Sequence, residues 1–212
     1  MFVTRDDIAL MEQRYRVHFI NSLSGYKSAN LIGTQDKSGQ SNLSIVSSVF
    51  HLGADPALMG MIIRPRAVPR HSFDNLVESG VYTINQVSTE FYQQAHQTSA
   101  RYDKSESEFD MVGLEPEYIG DFAAPFVKQS QLKIGMKLVE TQTLSVNDTE
   151  LVIGEIMCIQ VADHAVQQDG FIDISALNSA AVNGLDGYCS GQLLNRLSYA
   201  KPTQPPSILK LD

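Results

Sequence analysis

Apolar and polar positions change period several times along the chain, and each change marks an element. Residues 1–15 read as a short helix or arm. "RVHFINSL" alternates Val17 and Phe19 with His18 and Ile20 and reads as a strand. Lys27 to Phe50 reads as two strands around "DKSG", where Asp36 and Gly39 supply turn chemistry. "ALMGMII", before Pro65, is a short apolar run suited to a buried strand. In "HSFDNLVESG" the period lengthens. Phe73, Leu76 and Val77 fall at i, i+3 and i+4, with Ser72 as the expected N-cap and Gly80 as the stop. "VYTINQV" returns to the strand period, and "STEFYQQAHQTSA" predicts a second helix capped by Ser88 or Thr89. Residues 100–125 read as a long irregular connection in which Glu106 and Glu108 are solvated.

Leu132, Ile134, Met136 and Leu138 then alternate with Lys133, Gly135 and Lys137, the pattern of a half-buried strand. "SVNDTE" reverses the chain into "LVIGEIMCIQV", a continuous apolar strand that places Cys158 in the core, and "GFIDIS" reads as the last strand. Many short strands with short helical insertions predict a mainly β chain, a closed or nearly closed barrel. The Pro-rich tail "KPTQPPSILKLD" either crosses a partner or is loose. A length of 212 residues suits one domain over 1–212, with 1–15 as an N-terminal arm and 166–212 as a C-terminal extension.

Composition narrows the function. A formal net charge of −8 argues against nucleic acid as a partner, because a phosphate backbone recruits a basic face. No apolar run approaches the ~18 residues that would span a bilayer, and the first residues lack a signal-peptide core, so a cytoplasmic protein without a membrane partner is expected. Cys158 and Cys189 are the only cysteines and are expected to be reduced thiols. There is no nucleophile elbow and no P-loop, and the five histidines are scattered without metal-ligand spacing, so neither a catalytic residue nor a metal ligand is assigned.

One stretch runs against the acidic background. "IIRPRAVPRHSFDNL" gathers Arg64, Arg66, Arg70 and His71 with no carboxylate before Asp74. It is either a solvated loop or a site for a small phosphate. Pro65 and Pro69 hold the preceding residues extended, so the segment delivers the chain to a helix start, where free N–H groups and the positive dipole end favour an anion. An opposite charge at ~4 Å gains about 4 kcal/mol at a near-surface dielectric, before desolvation. A second stretch, "SGQSNLSIVSSVF", places Ser41, Asn42, Ser44, Ser47 and Ser48 in a strand without charges. Such a strand either has a wet face near a turn or hydrogen-bonds a planar ring that carries donors and acceptors.

In these two stretches the sequence resembles the flavin reductase-like, FMN-binding split-barrel family. "NLSIVSSVFHLGADPALM" is similar to the family's flavin-cradling strand and its Asp-Pro turn, here Asp55-Pro56. "RPRAVPRHSFDNLVESGVYTINQV" resembles its Arg-Pro start, basic loop and helix. "SEFDMVGLEP" and "LVIGEIMCIQV" resemble two later segments, and "GLDGYCSGQLLNRLSYAKP" resembles a branch near flavoredoxins and the flavin reductase components of two-component monooxygenases.

The resemblance implies a homodimeric split β-barrel that binds FMN near the subunit interface. Arg64, Arg70 and Ser72, with His71 beside them, would hold the phosphate. Asn42, Ser44, Ser47 and Ser48 would line the ribityl chain or ring, with Val49 and Phe50 near the ring edge. The implied activity is transfer of hydride from NADH or NADPH to FMN, with a monooxygenase or another acceptor downstream. The competing readings are an FMN-binding electron carrier without a nicotinamide site and a barrel that has lost its cofactor. The chain departs from the family pattern at Gly135-Met136, at Glu150 and in a tail with Tyr188 and Tyr199. Either tyrosine could stack on nicotinamide, or both are buried structural residues.

Overall fold

The structure is a computed structural model that describes residues 1–209. At the N-terminus, Thr4 and Asp7 cap each other's backbone N–H groups, and helix α1 (Arg5–Leu10) follows. The "RVHFINSL" segment is a helix, not the expected strand: α2 spans Gln13–Ser22. Local bonding decides this. Glu12 accepts the Tyr15 N–H at 2.9 Å, Tyr15 and Phe19 stack one turn apart, and the Asn21 and Ser22 side chains donate to the carbonyls of Val17 and His18. No residue of α2 is buried, so the brief alternation finds no sheet face to pack on.

Strands β1 (Lys27–Ser28), β2 (Asn30–Gln35) and β3 (Ser41–Val46) come next. The β2–β3 turn forms as its residues require: Asp36 accepts the N–H groups of Ser38 and Gln40, and Gly39 takes a φ of 89°. A second hairpin, β4 (Phe50–Ala54) and β5 (Ala57–Ile63), leads through residues 64–70 into α3 (His71–Ser79), which Gly80 ends in the left-handed conformation. After β6 (Val81–Gln86), helix α4 (Tyr92–Gln97) starts behind Phe91 without a side-chain cap. Neither Ser88 nor Thr89 caps it; Ser88 accepts the Glu90 N–H instead. The stretch expected to be irregular contains α5 (Glu108–Val112) and β7 (Pro116–Glu117), and β7 pairs with β8 (Phe126–Val127). The long hairpin of β9 (Leu132–Leu144) and β10 (Thr149–Val161) has thirteen residues in each arm. "GFIDIS" is not the last strand. Asp173 closes a turn there by accepting from Ser175 and Ala176, and the last strands are β11 (Ala180–Asn183) and β12 (Gly187–Ser190), in a small sheet with β1.

Seven strands form one antiparallel sheet in the order β3-β2-β6-β9-β10-β5-β4. Its two edges, β3 and β4, are consecutive in the chain and separated only by residues 47–49. So short a link brings the edges together, and the sheet curls into a split barrel. Ser48 pins the seam, donating to the Ile62 carbonyl at 2.7 Å and accepting the Ile62 N–H at 3.2 Å. Adjacent β2 residues serve opposite faces. Ile32 joins Met61, Tyr82, Ile84, Met136 and Val152 in the barrel interior, closed by Phe73 and Leu76 of α3. Leu31 joins Leu43, Val87, Phe91 and Phe109 in a second core with α4 and α5. Burial of each such side chain contributes about 1.5–3 kcal/mol.

Two expectations about β9 and β10 fail. Lys133 is only 4% exposed, its ammonium paired with Glu117 of β7. Cys158 is exposed instead of packed in the core, and Met157 and Ile159 on either side of it are each 53% exposed. The apolar run of β10 therefore outlasts the core that this chain can offer it.

Candidate functional site

Residues 64–70 form an irregular link, and Arg70 precedes the first residue of α3. The basic residues of this link have different surroundings. Arg66 turns back onto α3: its guanidinium meets Asp74 at 3.0 Å and lies 5.1 Å from the centroid of the Phe73 ring. Arg64 and Arg70 meet no carboxylate among the described residues. Arg70 Nε is buried and has no hydrogen-bond partner among them. Burial first, and then the charges of Arg64 and Arg101, hold the Arg70 pKa below the usual guanidinium value. A buried donor without an acceptor costs about 1–3 kcal/mol, and the like charges add to that cost. An anion removes both penalties, so the donor set fits a phosphate group. The first N–H groups of α3, at His71 and Ser72, lie next to it in the chain. Arg101 belongs to the connection that the pattern of the chain left featureless, and nothing local marks it.

Ser72 lies inside the helix and does not cap it, since α3 begins two residues earlier than expected, behind Arg70, and has no side-chain cap. Its hydroxyl bonds across to β3 instead, accepting from Asn42 Nδ2 at 2.7 Å and sharing a 2.7 Å hydrogen bond with Ser44 Oγ. Asn42 and Ser44 are two residues apart, on one face of the strand. The structure thus brings Asn42, Ser44 and Ser72 together, with His71 adjacent and half-buried. Ser48 is occupied at the seam, Val49 packs on the barrel core, and Ser47 lies half-buried between β3 and β4.

Glu108 is not solvated as expected. It is 8% exposed and accepts the Leu43 N–H at 2.9 Å. Burial raises its pKa, against the opposing pull of that hydrogen bond and of the His71 charge. The two tyrosines divide. Tyr199 is 88% exposed, contrary to a buried structural role. Tyr188 is part-buried, bonds His96 Nδ1 at 2.9 Å and packs on Tyr92 with centroids 5.1 Å apart. Tyr92 and Tyr188 border an open cleft of about 560 Å³ that Thr89, Asp186 and Cys189 also line, and with His96 they line a second one of about 200 Å³. Glu150 is buried and accepts from Thr143 Oγ1 at 2.9 Å. Among the described residues no group of three or more His, Cys, Asp or Glu side chains could hold a metal ion.

Comparison with known proteins bears on the same region. The profile of the flavin reductase like domain matches residues 24–177. A candidate flavin reductase with a split barrel domain from Shewanella frigidimarina is 62% identical, with a TM-score of 0.92 over 94% of this chain and 100% of that one. Nitrilotriacetate monooxygenase component B from Bacillus cereus is 17% identical, with a TM-score of 0.81 over 92% and 98% of the two chains. The flavoredoxin of Desulfovibrio vulgaris is 22% identical, with a TM-score of 0.70 over 81% and 91%. At those identities the last two share the fold.

Proposed function

The chain belongs to the flavin reductase like family, and we propose that its flavin is FMN, bound where β3 meets α3 and reduced by NADH or NADPH. The observation that carries this reading is the buried, unpartnered Arg70 Nε beside the charges of Arg64 and Arg101. In this reading Arg64, Arg70 and His71 hold the phosphate together with the first N–H groups of α3. Asn42, Ser44 and Ser72, already joined by hydrogen bonds, orient the ribityl chain and one side of the ring. Ser47 and the backbone of the 47–49 link face the ring edge, Ser48 keeps that link in place, and Val49 excludes water. Bound FMN supplies the hydride-accepting ring. The chain needs no acid or base of its own, and we assign it no catalytic residue and no metal.

The proposed unit is the whole of residues 1–212 acting as a homodimer. The exposed Met157 and Ile159 of β10 are an apolar strip that a second copy would cover. The likeness to a monooxygenase component B suggests a monooxygenase as one electron acceptor. No helix among the described residues is long and apolar enough to cross a membrane, in keeping with a proposed cytoplasmic location. A second reading, an FMN-binding electron carrier without a nicotinamide site, is favoured by Tyr188, whose hydroxyl is already engaged by His96.

The test is the absorption spectrum of protein incubated with FMN and desalted, followed by anaerobic NADH or NADPH. Retained flavin bands that bleach with the nicotinamide support the reductase. Bands that bleach only with dithionite replace it with the carrier, and the absence of flavin uptake at any FMN concentration rejects both.

A further inference from the structure

We infer that residues 107–109 clamp β3 so that Asn42 is aimed at Ser72, with Glu108 as a positioning residue for flavin binding; the inference rests on the FMN reading above. β3 is an edge of the large sheet, so the backbone groups on its outer side have no strand to pair with among the described residues. The start of α5 takes that place. Ser107 Oγ lies 2.8 Å from Ser41 Oγ. Glu108 Oε2 accepts the Leu43 N–H at 2.9 Å. Phe109 packs with Leu43 in one core cluster, both of them 0% exposed.

Three consecutive residues of one segment therefore hold Ser41 and Leu43, the neighbours on either side of Asn42. Side chains alternate along a strand, so the residue between two held positions projects to the opposite face. Asn42 does so, and there its Nδ2 donates to the Ser72 hydroxyl. Burying a carboxyl in this position is unfavourable in itself. What it secures is an edge N–H in the strand whose next residue, Ser44, also bonds Ser72.

The test is FMN titration of the full chain by flavin fluorescence, together with the thermal midpoint, in Glu108→Ala, Glu108→Gln, Ser107→Ala, Asn42→Ala and the Glu108→Ala/Asn42→Ala pair. Glu108→Ala should weaken FMN binding roughly tenfold, the scale of a lost charge-assisted hydrogen bond. Glu108→Gln should restore binding to within about twofold, because the amide oxygen accepts the same N–H. The double variant should bind no worse than Asn42→Ala alone, since both act through one side chain. If Glu108→Ala does not fold, Ser107→Ala decides, with an expected loss of roughly threefold at an unchanged midpoint. A Glu108→Ala or folded Ser107→Ala protein that binds FMN like wild type, while Asn42→Ala does not, overturns the clamp alone, as does full additivity in the double variant. Wild-type protein without FMN affinity, or normal affinity in Asn42→Ala, Ser72→Ala and Arg70→Ala together, overturns the FMN reading and the clamp with it.

Discussion

Cations in two regions of this molecule have opposite surroundings. On the structural side, Lys133 is buried against Glu117, and Arg196 lies 4.2 Å over the Phe171 ring, donates to Gln167 and pairs with Asp169. At the start of α3, among the described residues, Arg64 and Arg70 meet no carboxylate and Arg70 Nε meets no acceptor. A paired cation joins two parts of the chain. Arg70, half-buried and unpaired, works against the fold and is positioned for an anion from solution, and the exposed Arg64 adds a like charge near it. The difference separates residues that hold the structure from residues that would hold a ligand, although all four are simply basic in the sequence.

The largest effect on stability should come from breaking a structural pair. Glu117→Ala leaves the Lys133 ammonium buried without its partner. It should cost about 1–3 kcal/mol, less than a fully buried pair because the Glu117 side chain is 35% exposed, and lower the thermal midpoint by roughly 2–12 °C. FMN affinity of the folded protein should not change.

A smaller effect on stability concerns Glu108, the buried anion beside the site. Its folded pKa is raised above the ordinary value of 4.5, chiefly by burial. The folded state therefore holds that proton more tightly than the unfolded state. The stability it contributes is complete below the ordinary value and is lost as pH rises through the folded value. Glu108→Gln should remove this decline, seen as a difference between the two proteins' denaturation midpoints across pH. The lowered carboxyls of Asp36 and Asp173, which lose their contribution as pH falls, cancel in that difference.

Arg196→Ala should leave the main transition almost unchanged and speed proteolysis within residues 191–209, because that exposed tail is tied down through Arg196. Arg70→Ala should behave unlike any structural cation. It removes an unsatisfied donor and a like charge, so unliganded protein should lose no more than about 0.5 kcal/mol and can gain stability. A clear fall in the midpoint would place Arg70 with the structural cations.

Much of the frame was legible from pattern. The β2–β3 hairpin around Asp36 and Gly39, the apolar strand at 57–63, α3 with its Gly80 stop, and the β9–β10 hairpin all follow from local period and turn chemistry. The contacts that join distant segments were not legible. Nothing near Lys133 announces Glu117, and nothing near Glu108 announces the Leu43 N–H, because each partner comes from a segment that only the fold brings close. The strand expected at "RVHFINSL" failed for the converse reason: the alternation was too short to outweigh local helix contacts on a surface with no core behind it. Cys158 shows a further limit. An apolar strand reads the same whether its own chain or another surface covers it. At the proposed site, residue type and order single out Asn42, Ser44 and Ser72, which the structure joins, and the basic residues Arg64 and Arg70. Neither the Ser72 bonds to β3 nor the withdrawal of Arg66 onto Asp74 was legible there.

A basic link that holds a phosphate should distinguish two ligands that differ only by that group. FMN and riboflavin would be titrated against wild type and Arg70→Ala by flavin fluorescence. Wild type should bind FMN roughly 10–100-fold more tightly than riboflavin, the scale of one or two hydrogen bonds to a charged group. Arg70→Ala should lose most of that preference while its riboflavin affinity is unchanged. Equal affinity of wild type for the two ligands, or a preference that survives in Arg70→Ala, would mean that Arg70 holds no phosphate.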